Sequence, residues 1–60
     1  MSRAYEKKKA EALAAQAIAY RLEGEAAELA GDTAQAAFYQ ELAKGTDVLE
    51  ASYLAMAATT

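Results

Sequence analysis

Glu25 and Glu28 stand three residues apart, the spacing that sets two carboxylates side by side on a helix, and they come nearest in this chain to a catalytic or metal-binding pair. A helical di-metal site would need a Glu-x-x-His pair pointing inward, and the sequence contains no His and no Cys. Nucleophilic catalysis has the same difficulty. Only Glu, Asp, Lys, Tyr and Ser are on offer, and on helix faces such groups are solvated by default. The chain therefore reads as non-enzymatic, without a cofactor, a metal or a disulfide. Lys7, Lys8 and Lys9, with Arg3, form the other chemical cluster. Three consecutive lysines spread over about 200° of a helix, so they make a collar, not a patch. Two such collars brought together would present a basic surface to nucleic acid or to an anionic membrane. The four tyrosines are apolar bodies with polar tips, suited to a rim or a protein contact.

What positions these groups is decided at the midpoint, Leu29-Ala30-Gly31-Asp32-Thr33. Gly31 tolerates the left-handed conformation with which helices end, and Asp32 can cap the helix that follows. Gln35, three positions on, completes a variant of the capping box: the Asp32 carboxylate accepts from the Gln35 amide, and the Gln35 side chain reaches back to the Asp32 N–H. This predicts an all-α antiparallel hairpin. A helix from about residue 3, capped by Ser2, to about residue 30 is followed by a turn at 31–32 and a helix from about 33 to 58. Lys44-Gly45-Thr46-Asp47 is the place where the second arm could kink or break, although its apolar stripe runs through Gly45 without slipping.

Helical spacing yields two apolar stripes on the first arm. Ala12, Ala15, Ile18, Ala19, Leu22, Ala26 and Leu29 form one; Leu13, Ala17, Tyr20, Gly24 and Ala27 form the other. On the second arm the main stripe is Phe38, Leu42, Gly45, Leu49, Ser52 or Tyr53, and Met56, with Tyr39, Ala43 and Thr46 beginning a weaker one. Pairing the two main stripes across the turn sets Ala26 against Phe38, Leu22 against Leu42, Ala19 against Gly45 and Ala15 against Leu49, large against small. The second stripe then faces a second copy. The expected dimer interface is Leu13, Ala17, Tyr20, Gly24, Ala27, Tyr39 and Tyr53, and two hairpins dimerise into a four-helix bundle.

Sixty residues make one domain, 1–60, with a thin core: eighteen of them are Ala. Chains of this size usually need additional support, and without disulfide or metal the remaining staple is oligomerisation. Net charge is −3, unevenly placed. Residues 1–20 carry +2 and residues 21–41 carry −4, so the open end is basic and the turn end acidic. No stretch reaches the roughly 18 apolar residues of a membrane span, and there is no apolar leader, so the expected location is the cytoplasm. Ala-rich usage would suit a bacterial or phage source.

Tyr20, Gly24, Gly31-Asp32, Ala36, Tyr39 and Ala43 fall at spacings that resemble a tetratricopeptide repeat over residues 20–44, although Glu23 and Gln40 depart from it and the closing Pro is missing. That resemblance implies a tight helical hairpin and a role in binding proteins. The whole-chain layout, with Glu28-Leu29 before an Asp-containing turn, looks like the Rop family of dimeric RNA-binding hairpins. It implies a dimer gripping RNA through basic residues of the first helix, here Arg3, Lys7, Lys8, Lys9 and Arg21. The expected function is a small homodimeric adaptor or regulator acting on another protein, with a Rop-like RNA-binding regulator as the alternative.

Overall fold

The turn forms as a set of hydrogen bonds among neighbouring residues at the midpoint of the chain. In the computed structural model, which describes residues 3–59, helix α1 runs over Arg3–Leu29 and helix α2 over Thr33–Ala58. Ser2, expected to cap the first helix, lies outside the described residues. Gly31 sits at φ 79, and its N–H donates to the Glu28 carbonyl at 3.0 Å. The Asp32 N–H donates to the Ala27 carbonyl at 2.9 Å, which completes a Schellman ending for α1. Asp32 then caps α2, its Oδ1 accepting from the Gln35 N–H at 3.0 Å. The capping box is thus half of what the sequence predicts. The Asp32 N–H, which the Gln35 side chain was to satisfy, is already taken by Ala27. At the other end of α2, Thr59 closes the helix by donating its N–H and its hydroxyl to the Met56 carbonyl.

Both helices are unbroken, and α2 passes through Gly45. They lie along one another as a rod of 47 × 13 × 12 Å. The seam between them is built on alternating steps of four and three. Glu6, Ala10, Leu13, Ala17, Tyr20, Gly24 and Ala27 on α1, and Ala36, Tyr39, Ala43, Thr46, Glu50, Tyr53 and Ala57 on α2, are all buried or half-buried. This is the heptad spacing of a two-helix coiled coil. Antiparallel, the two series fall into layers: Ala27 stands level with Ala36, Gly24 with Tyr39, Tyr20 with Ala43, Ala17 with Thr46, Leu13 with Glu50, Ala10 with Tyr53 and Glu6 with Ala57. Five of the seven layers join a small residue to a larger one, which lets the helices approach closely. Thr46 enters this seam without an orphaned hydroxyl, because Oγ1 donates to the Leu42 carbonyl at 2.8 Å.

The register agrees with the expected one to within a residue, but the face does not. Leu13, Ala17, Tyr20, Gly24, Ala27, Tyr39 and Tyr53, the expected dimer interface, lie between the two helices of a single chain. The stripes expected to fill the hairpin interior, Ala12 to Leu29 and Phe38 to Met56, lie outside it. Both pairs of stripes share the same steps and nearly the same register, so spacing alone does not separate them. The turn does, because its Schellman bond seats Ala27 beside Ala36 and the seam continues from that layer.

The three glycines consequently have three different roles. A Cβ on Gly24 would stand 3.6 Å from both the Tyr39 Cβ and the Ala36 carbonyl oxygen, ordinary contact distances. Gly24→Ala is therefore expected to raise stability by about 0.5–1 kcal/mol through helix propensity. Gly31→Ala forces a Cβ into the left-handed region and is expected to cost about 1–2 kcal/mol. Urea titration of the two variants reads both signs. Equal shifts in the same direction would contradict this account of the seam and the turn. Gly45 does not face Ala19 as the sequence suggested; a Cβ there would meet nothing within 4 Å.

Candidate interaction surface

The described seam buries one Leu and several Ala, and no large side chain is fully enclosed. The large apolar groups are outside. Leu29 is 91% exposed, Ile18 60%, Leu22 59%, Phe38 55% and Leu49 53%, with Leu42 half-buried and Met56 exposed on the same α2 stripe. Scattered exposed leucines are ordinary, but contiguous apolar stripes of this size on both helices mark an interaction surface. At 3.6 residues per turn, the centre of the α1 stripe lies roughly 150° around the helix from its seam, and the α2 stripe roughly 110° from its own. The α1 stripe thus faces away from α2, while the α2 stripe flanks the hairpin.

Aromatic rings brace the edge of the seam. Tyr20 and Tyr39 have ring centroids 6.2 Å apart, Phe38 and Tyr39 5.5 Å, and Tyr5 and Tyr53 6.4 Å, the last two edge to face. The Tyr20 hydroxyl accepts from Gln16 Nε2 at 3.2 Å. Across the helices, the Arg21 guanidinium forks onto the Asp47 carboxylate, with Nη1 donating to Oδ1 at 3.4 Å and Nη2 to Oδ2. The hydrogen bond and then the charge of Asp47 raise the Arg21 pKa above its ordinary value, so this cation persists at any working pH. Asp47 was not singled out by sequence; it lies about a turn beyond the level of Arg21, towards the open end, within reach of the long guanidinium side chain.

The groups singled out for chemistry are dispersed. Glu25 and Glu28 are exposed, and Glu28 Oε1 accepts from Gln40 Nε2 at 2.9 Å, tying the turn end of α1 to α2. Among the described residues no group of three or more acidic side chains is placed to hold a metal. Arg3, Lys7, Lys8 and Lys9 are all exposed; Lys8 pairs with Glu11 at 3.2 Å. Between the helices near the open end lies an open groove of about 440 Å³, floored by Ala10, Ala14 and Leu54 and rimmed by Lys7, Glu11 and Glu50. Its mixed rim favours neither sign of ligand. No helix of the described residues is long and apolar enough to cross a membrane. Compared with protein families, with curated proteins and with solved structures, the chain matches none.

Proposed function

We propose that this chain is a non-enzymatic interaction module: a helical hairpin that homodimerises into a four-helix bundle through an outer apolar stripe and acts on another protein as an adaptor or regulator. The exposure of Ile18, Leu22, Leu29, Phe38 and Leu49 carries the reading. A seam of alanines leaves little net stability in a chain of 60 residues, and covering those side chains with a partner supplies what the seam lacks. The dimer face is accordingly assigned to an outer stripe, since the second stripe is occupied within the hairpin. The α1 stripe, which faces away from α2, suits a further protein in the manner that the tetratricopeptide resemblance implies.

The RNA-binding alternative rests on the exposed Arg3, Lys7 and Lys9 at the open end. It is weakened at Arg21, whose charge is committed to Asp47. One measurement separates the readings. Native mass and light scattering at micromolar concentration are expected to give a dimer whose melting temperature rises with protein concentration. A stable monomer with a concentration-independent melt would remove the self-association. A salt-sensitive shift with structured RNA would favour the alternative.

A further inference from the structure

An isologous dimer needs a surface that complements itself, each residue i meeting j while j meets i. The outer stripe of α2 has this property. Phe38, Leu42, Gly45, Leu49, Ser52 and Met56 follow steps of four and three that read alike in both directions about residue 47. Laid antiparallel on its own copy, the stripe sets Gly45 against Leu49, Leu42 against Ser52 and Phe38 against Met56. Two of these three layers join small to large. Gly45 supports the same arrangement from a second side: it sits inside a helix, which disfavours Gly, yet nothing within its own chain stands within 4 Å of a Cβ placed there.

Charge selects the direction. The basic collar lies at the open end and the acidic residues Glu23, Glu25, Glu28 and Asp32 lie at the turn end. Parallel copies would set collar against collar and acid against acid. In the antiparallel register, Lys9 of one chain stands level with the partner's Glu23 and Lys7 with the partner's Glu25.

We infer that the dimer forms by antiparallel self-pairing of α2, with Gly45 as the gap that receives the partner's Leu49. This rests on the self-association reading above, naming the face and the direction. It leaves the outward stripe of α1 free for a different protein.

The chain has no Cys, so a single nitroxide can be placed at Ala30, in the turn, by Ala30→Cys. At 1.5 Å rise per residue, antiparallel copies place the two labels about 40 Å apart, whereas parallel copies bring them within roughly 20 Å. A pulsed dipolar distance near the longer value is expected, and one near the shorter value overturns the inference while leaving self-association intact. A monomeric mass would overturn both. As an independent reading, Gly45→Leu fills the gap and is expected to raise the dimer Kd about tenfold or more at unchanged helix content. Ala51→Leu, an exposed position off the stripe, is the control and is expected to leave it unchanged. Equal dimer Kd values for the two variants would place Gly45 outside the interface and overturn the pairing.

Discussion

Ala43→Glu is expected to leave the chain unfolded at 25 °C, as read by far-ultraviolet circular dichroism. Ala43 is 1% exposed, the most deeply buried of the core residues, and stands level with Tyr20 in the middle of the seam. Even an apolar enlargement, Ala43→Leu, forces the helices apart at a cost of about 1–3 kcal/mol. A carboxylate adds the desolvation of a charge with no cation opposite it, because the nearest cross-helix cation, Arg21, already holds Asp47. Against a net stability of roughly 3–5 kcal/mol for a chain of this size, the sum exceeds what the hairpin has. Ala37→Glu, one residue beyond Ala36 and exposed, is the control, expected to change stability by about 0.5 kcal/mol or less. If both variants melt like the wild type, the close seam described above is not the one the protein uses.

The second large effect lies on the outer flank of α2. Phe38→Glu combined with Leu49→Glu touches no seam position, since both side chains are more than half exposed in the hairpin. If the outer stripe of α2 closes a dimer, each substitution removes an apolar side chain from the contact and places a carboxylate there. At about 2 kcal/mol per substituted position, both copies taken together, and 1.4 kcal/mol per tenfold, the pair raises the dissociation constant roughly a thousandfold. Analytical ultracentrifugation is expected to show monomer at concentrations where the wild type is dimeric. Helix content at matched monomer concentration is expected to be preserved, which distinguishes this variant from Ala43→Glu. An unchanged sedimentation coefficient would show that the outer stripe of α2 plays no part in association.

The architecture was legible because its determinants are local. Gly31 ends one helix and Asp32 starts the next, and each works through bonds within a few residues of itself. The continuity of α2 through Gly45 was legible from the phase of the stripe on either side. The choice of seam was not. Two stripes on each arm have the same steps, and ranking them by apolar bulk favours the wrong pair, because the closest approach of two helices selects small residues over large ones. Ala10, Ala17 and Gly24 at sevenfold spacing, with Ala36 and Ala43 opposite, were the available signal. Cross-helix polar contacts such as Arg21 with Asp47 could be read only after the seam was known, since they depend on which flank of each helix turns inward.

The layered seam also fixes an order of events. The layer of Ala27 and Ala36 is enclosed by the turn alone, and every later layer, out to Glu6 and Ala57, closes a longer stretch of chain than the one before it. Closure entropy rises with the logarithm of that length, so each layer forms most readily once its inner neighbour is in place. The hairpin is thus a clasp that zips from its bend and frays from its tips. Amide hydrogen exchange should be slowest near Ala27 and Ala36 and quicken steadily along both helices towards the open end.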